Sequence, residues 1–470
     1  MKKIIITCLI GLLLNCTSFA QNWPQNVPFL MGYWSNWNIY SADQQSRAIP
    51  EPAYAIPGSI DETGAIVKND DLQAKLDKIN AITYDFFEVA QDGTVYFSDP
   101  WSDLRDDSQF ANYDKLFNSG TGLCVVDASI CNTAQQPSPY AKGNFQAFLS
   151  LNNQQNNLRK LISIGGFGHD DSFQHAFDNP NRFVQTVTEI VDKTGVDGVD
   201  LDFEPVTITS ETAKKYADLI QQLRQSLPTD KLITMAVLSN PAWLENFGQD
   251  NWNVVQQNVN YVDLMTYDFH GGFDYPQPTG FLSSLYNDSQ SPYHPDFSID
   301  SSVKTLQQLG VPASKIVIGV PAYGRAQAEV PEGDQHGLFQ PFKVIPQGDM
   351  DAASCSTDPT NTQTMCSGSF QYKYIEAQML AKGFADFQYN AEDHGNVSSA
   401  VWAYDPDTWV VTPSQSYTGT YISYVNTNVA ASEADYVKTH DLGGIMMWEL
   451  RGDVIPGQPG SLWDAIDGQL

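Results

Sequence analysis

Eight short, apolar, β-branched runs recur along the chain, separated by longer helix-like stretches, and this recurrence limits the fold more than any other feature. The runs are Phe29–Trp34, Ile79–Phe87, Lys160–Gly165, Gly198–Phe203, Leu232–Leu238, Tyr261–Tyr267, Lys315–Val320 and Gly444–Trp448. Each reads as buried rather than alternating, the pattern of parallel strands covered by helices. Helical periodicity fills three of the gaps. Asp171–Thr194 ends in Lys-Thr-Gly, Thr212–Gln225 is closed by Leu227-Pro228, and Ser301–Leu309 is closed by Gly310. Eight strands with intervening helices predict an α/β fold, a (β/α)8 TIM barrel.

Two connections are longer than a helix and its loops require. Residues 88–158 carry Cys124 and Cys131, and residues 326–425 carry Cys355 and Cys366. The second predicts an α+β insertion domain with a helix at Phe370–Lys382 and a strand at Ser399–Tyr404. The barrel is then expected over 21–325 and 426–470. Both connections leave the C-terminal ends of strands, the face on which such barrels build active sites. Folded segments that wall a cleft fit these lengths better than structureless loops.

Residues 1–20 read as a signal peptide. Lys2 and Lys3 precede the apolar stretch Ile4–Leu14, and Ser18 and Ala20 are small residues ahead of Gln21. The stretch is shorter than the roughly 20 residues a bilayer span needs. A lipoprotein reading through Cys16 meets Asn15 where a small residue is expected. The expectation is therefore an exported, extracellular protein, not membrane-bound after processing, with monomer as the default. The net charge of −30, from 55 acidic and 25 basic side chains, opposes binding to nucleic-acid phosphates. Removal of the signal leaves Cys124, Cys131, Cys355 and Cys366. Four cysteines allow three pairings, and the short loops favour Cys124–Cys131 and Cys355–Cys366 in an oxidising compartment. A zinc site is the alternative, but no histidines stand at ligand spacing beside these cysteines.

The fourth run carries the chemistry. In Asp197-Gly-Val-Asp-Leu-Asp-Phe-Glu204, the acids Asp200, Asp202 and Glu204 alternate with Val199, Leu201 and Phe203. Residues two apart on a strand face the same way, so the three carboxylates point inward and the apolar residues point at the helices. Glu204 comes last, at the mouth, with Pro205 ending the strand. Acids crowded in a low-dielectric barrel share protons, which can keep Glu204 protonated near neutral pH as a general acid requires. A divalent-metal site would need further ligands that the local sequence does not show; no metal and no cofactor is expected.

Asp-Gly-x-Asp-x-Asp-x-Glu resembles the signature of family 18 glycoside hydrolases, the chitinases, at every defining position. Further matches follow in order: Ser163-Ile-Gly165-Gly166, Met265-Thr-Tyr267-Asp268, Tyr323-Gly-Arg325 and Gly443-Gly-Ile-Met446-Met-Trp448-Glu449. The long segment after Tyr323-Gly-Arg325 lies where one branch of the family carries its chitinase insertion domain. The resemblance implies a secreted enzyme that hydrolyses β-1,4-linked N-acetylglucosamine polymers with retention, using the substrate's own acetamide as nucleophile. It implies that Glu204 is acid and base, that Asp202 orients the acetamide, that Asp200 shares the proton of Asp202, and that Tyr267 donates to the acetamide oxygen. Trp448 is the implied floor beneath the sugar. Tyr33, in Gly32-Tyr-Trp-Ser-Asn-Trp37, Phe86, Met265 and Met446 are implied to line the same pocket, although barrel packing is a rival role for each. Asp268, Tyr323 and Arg325 are implied contacts to neighbouring sugars, and Asp197 is expected to tether the start of the strand.

Two positions depart from the family pattern. Phe167 stands where tryptophan is common, and Tyr424-Val-Asn426 replaces Tyr-Asp-Asp. Trp243, Trp252, Trp402 and Trp409 are expected to be exposed, in packing rather than binding roles. Two rival functions remain: an endo-β-N-acetylglucosaminidase, which would use the same acids, and a non-catalytic lectin, which would typically lack the terminal glutamate.

Overall fold

The computed structural model describes residues 27–37, 70–99, 102–103, 144–351, 354–412 and 415–470. The signal segment and the pair Cys124 and Cys131 lie outside the described residues. In chain order the strands are β1 (Phe29–Ser35), β2 (Ala81–Val89), β3 (Val95–Phe97), β4 (Arg159–Gly165), β5 (Gly198–Asp202), β6 (Leu232–Leu238) and β7 (Tyr261–Met265). They continue with β8 (Ile316–Pro321), β9 (Tyr323–Gln327), β10 (Ser369–Gln371), β11 (Ala385–Ala391), β12 (Val397–Thr412), β13 (Gln415–Tyr424) and β14 (Gly444–Trp448).

Parallel pairing runs β1-β14-β8-β7-β6-β5-β4-β2, and a further pairing of β1 with β2 closes the ring. The eight predicted runs are the eight barrel strands, with ends within a few residues of expectation. β3 is an antiparallel addition beside β2. The (β/α)8 barrel follows from the sequence because each run buries both faces: β1, β2, β4, β5, β6, β7, β8 and β14 are buried almost throughout.

Helix ends follow local chemistry. Thr209 caps Ser210–Ser226 by accepting from Thr212 N. Gly195, in a left-handed conformation at φ 74°, ends the helix Pro180–Thr194 at the predicted stop. The single helix expected over Asp171–Thr194 is in fact two, Asp170–Asp178 and Pro180–Thr194. Asn179 between them is non-helical, and Pro180 sits at the first turn, where its missing N–H costs nothing.

Between β8 and β14 the chain forms a five-stranded antiparallel sheet in the order β10-β9-β13-β12-β11. The helix predicted at Phe370–Lys382 is present over Tyr372–Lys382 as a continuous but irregular run, an α turn at Tyr372–Tyr374, a π segment at Ile375–Met379 and a 3-10 turn at Leu380–Lys382. Only its first two residues differ: Phe370 and Gln371 pair with Gly324 and Tyr323 on β9, where edge pairing outweighs helical periodicity. The predicted strand at Ser399–Tyr404 is present and extends from Val397 to Thr412. Cys355 and Cys366 form a disulfide with Cα atoms 4.9 Å apart. The four tryptophans expected on the surface are buried: Trp243, Trp252, Trp402 and Trp409 are at most 8 % exposed. Their amphipathic rings pack inward, and three of the four indole N–H groups donate to backbone carbonyls, Pro205, Leu244 and His336. Among the described residues no helix is long and apolar enough to cross a membrane.

Candidate active site

Strand β5 sorts its side chains as alternation requires. Val199, Leu201 and Phe203 join the apolar layer between barrel and helices, whereas Asp200 and Asp202 are enclosed inside the barrel. At the foot of the strand Asp197 accepts from Arg159 Nη1 and from Lys160 N, both at 2.9 Å. Asp197 is thus tied to β4, as expected of a tether.

Asp200 is the best-supported anion of the series. Its Oδ2 accepts from Tyr33 Oη at 3.0 Å and Ser163 Oγ at 2.8 Å, and its Oδ1 accepts from Thr234 Oγ1 at 2.6 Å. Burial raises its pKa while these three hydroxyls oppose the rise. Asp202 lacks that support: its Oδ1 is buried without a hydrogen-bond partner. Burial first, then the charges of Glu204 and Asp200, hold its carboxyl well above the usual range. Of the two inner acids, the geometry therefore assigns the proton to Asp202. Glu204, one step past the strand end, is partly exposed. Burial of its carboxyl, then Asp268, Asp170 and Asp200, push its pKa up to about 8.

Glycines let the walls close on these acids. Gly165 and Gly166 have φ of 109° and 96°, a region that disfavours side chains. A Cβ on Gly165 would meet the Asp202 carbonyl at 2.2 Å, and one on Gly166 would meet the Phe86 ring at 2.7 Å. The Ser-x-Gly-Gly segment thus allows β4 to approach both an acid and an aromatic of the site.

The mouth is aromatic. Phe86 and Trp448 stack with centroids 5.8 Å apart at 18°. Tyr33 approaches Trp448 at 5.3 Å, and Trp37, 40 % exposed, touches both members of the stack. The peptides Asp85–Phe86 and Trp448–Glu449 are cis. Opposite, Tyr267 lies edge-on to Tyr323 at 6.1 Å, and its hydroxyl meets the Met446 sulfur at 3.8 Å. Burial, then Tyr323, raises the Tyr267 pKa well above its ordinary value, so the phenol stays a proton donor. Met265 and Met446 are buried in the barrel interior with Tyr33.

The structure therefore brings together Glu204, Asp202, Asp200, Tyr267, Tyr33, Phe86, Trp448, Met265, Met446 and Tyr323. Two predicted sugar contacts are engaged with each other. Arg325 Nε and Nη2 donate to the two Asp268 oxygens at 2.8 and 2.6 Å, and Nη1 donates to Ser367 O at 3.2 Å. The fork fixes Asp268 beside Glu204. Tyr33 likewise commits its hydroxyl to Asp200 rather than to the cleft.

Sequence reasoning missed four residues. Asp85 and Asp263 are fully enclosed acids inside the barrel, and both Asp263 oxygens lack partners. The parity of Tyr261, Asp263, Met265 and Tyr267 was an available signal for Asp263. Trp37 and Phe273, the latter 49 % exposed with Arg325 above its ring, complete the rim. Phe167, 79 % exposed, offers an open ring face at the end of β4.

A barrel whose C-terminal mouth presents such an acid series within aromatic walls defines a glycoside hydrolase. The model described as Glycosyl hydrolases family 18 matches residues 30–453, and the chain belongs to that family. Among curated relatives, it is 23 % identical over 433 residues to Endochitinase 1 of Metarhizium robertsii, covering 90 % of this chain and 80 % of the relative. Its fold is similar to that of chitinase ChiA74 from Bacillus thuringiensis, with TM-score 0.70, 21 % identity, and coverage of 94 % of this chain and 69 % of the other. It is also similar to a mutant of the Group II chitinase catalytic domain 2 from Ostrinia furnacalis in complex with penta-N-acetylchitooctaose. That match has TM-score 0.66 and 19 % identity, and covers 94 % and 96 % of the two chains.

Proposed function

We propose that the protein is an exported chitinase, cutting β-1,4 links between N-acetylglucosamine units with retention and substrate assistance. Asp202 carries this reading: an enclosed carboxyl with an orphaned oxygen, directly below the partly exposed Glu204. A buried acceptor without a donor is costly, and the N–H of a substrate acetamide is a group that can relieve it.

The steps follow from the side chains. Glu204, protonated below about pH 8, gives its proton to the glycosidic oxygen as the bond to the anomeric carbon breaks. The acetamide carbonyl oxygen attacks that carbon from the opposite face and forms an oxazolinium ion. Asp202 passes its resting proton to Asp200, which three hydroxyl donors hold in place, and as a carboxylate accepts the acetamide N–H and offsets the positive charge that develops. Tyr267 donates to the acetamide oxygen. Phe86 and Trp448 form an apolar floor for the distorted sugar. Water, deprotonated by Glu204, then opens the ion with a second inversion, so configuration is retained. Phe167, Trp37 and Phe273 extend the surface on which a flat polymer can stack. The chemistry needs a 2-acetamide, so the substrate class is N-acetylglucosamine polymers.

The test is release of fluorophore from chitobioside and chitotrioside conjugates beside a high-mannose glycopeptide. Turnover of the conjugates is expected. Cleavage of the glycopeptide alone would transfer the assignment to an endo-β-N-acetylglucosaminidase. Binding without any turnover would indicate a lectin.

A further inference from the structure

Asp85 belongs to no motif and has no role in the steps above. It is 0 % exposed on β2, its Oδ2 accepts from Ser35 Oγ at 2.8 Å, and its Oδ1 is buried without a hydrogen-bond partner. A carboxyl so placed either keeps a proton or places a charge where neighbouring charges feel it strongly.

Strand register explains how it comes to face the other acids. β2 pairs with β4 through Tyr84 with Ile162 and Phe87 with Ile164, and the register shifts between the two pairs. Asp85 and Phe86 therefore share the level of a single β4 residue, Ser163, which donates to Asp200. Across β4 the same level continues to Asp200, and one step higher Gly165 pairs with Asp202. On its other side Asp85 is in register with Ser35 of β1. Its charged surroundings are Asp200 and Asp202 from β5 and Glu449, 2 % exposed, just past β14. On its own strand, Tyr84 donates to Asp103 at 2.5 Å.

We propose that Asp85 is a fourth acid of the site, a positioning residue that controls the protonation of Asp202 from the β2 side. The proposal rests on Asp202 acting as partner of Glu204. When ionised, Asp85 opposes ionisation of Asp202, adding to burial, Glu204 and Asp200, and burial holds the Asp85 carboxyl itself well above its usual range. By register Asp85 lies at the level of Asp200, one inward-facing step below Asp202, whereas Glu204 lies beyond the end of β5. The effect of Asp85 is therefore expected first on the limb that Asp202 sets. Its neighbour Phe86 keeps the sugar floor in either protonation state.

The test is the pH dependence of kcat/KM on a chitotrioside conjugate for Asp85→Asn. The amide keeps the shape and the acceptor for Ser35 and removes the charge. The acid limb should move to lower pH by roughly 0.5 unit or more, with the alkaline limb unmoved and KM within about twofold. Ser35→Ala keeps the carboxyl, removes its donor and so favours its neutral form; it should move the acid limb the same way by less. That variant also serves if Asp85→Asn fails to fold. Acid limbs superimposable on wild type, or both limbs moving together with a lowered melting temperature, would overturn the proposal. Wild-type turnover in Glu204→Gln, run in parallel, would instead overturn the assignment of Asp202 and Glu204 on which it rests.

Discussion

The inward face of β5 and its outward face are built from adjacent residues under opposite physical demands. Outward, Phe203 packs against Phe173 at 4.8 Å, Tyr216 at 5.3 Å and Phe177 at 5.4 Å, and Tyr216 donates to Leu201 O. Every contact there removes apolar surface from water and stabilises the fold. Inward, Asp202 and Asp263 keep buried oxygens without partners, and desolvation dominates the pKa of every acid. That face destabilises the fold and is tolerated because the outward face offsets it. Stability and reactivity are thus divided by parity along a single strand.

The largest effect should come from the inward face. Glu204→Gln is expected to lower turnover by about 10²–10⁴-fold with oligosaccharide binding kept, read by steady-state rates and calorimetry. The outward face should show the opposite: Phe203→Ala is expected to cost about 3–5 kcal/mol in a denaturant melt, with turnover per folded molecule little changed. A third effect separates the faces by pH. Turnover should fall about tenfold per unit above the Glu204 pKa of about 8 as the general acid is lost. Stability should fall at lower pH, before the rate does. Between the ordinary carboxylate value of 4.5 and about 8 the folded chain holds a proton that the unfolded chain releases, so rising pH favours unfolding. Melting temperature against pH checks the sign. The smallest effect belongs to the strand's exposed foot, where Arg159→Ala should cost less than about 1 kcal/mol, because its pair with Asp197 is partly solvated.

Much of this was legible in the sequence because period and chemistry coincide. The eight runs gave the barrel since each is too apolar to leave a face in water. Asp200, Asp202 and Glu204 declared their shared side through simple alternation. The illegible parts are those in which tertiary contacts decide. Pro180 starts a helix rather than continuing one, and Phe370 is drawn into an edge pairing with Gly324. Asp85 carries no parity signal, because the shift between Tyr84 and Phe87 resets the alternation. Arg325 and Asp268 are distant in sequence, so their mutual pairing could not be read there. Nothing local distinguishes Trp402 or Trp409 from a surface tryptophan; the sheet that buries them comes from distant segments.

Melting temperature and turnover measured together on Glu204→Gln and Phe203→Ala put the division of β5 to the sharpest trial. The expected result is a crossed pattern: Glu204→Gln loses turnover and melts no lower than wild type, while Phe203→Ala melts lower and keeps its rate per folded molecule. Near-wild-type turnover in Glu204→Gln, or a comparable loss of both quantities in both variants, would contradict it.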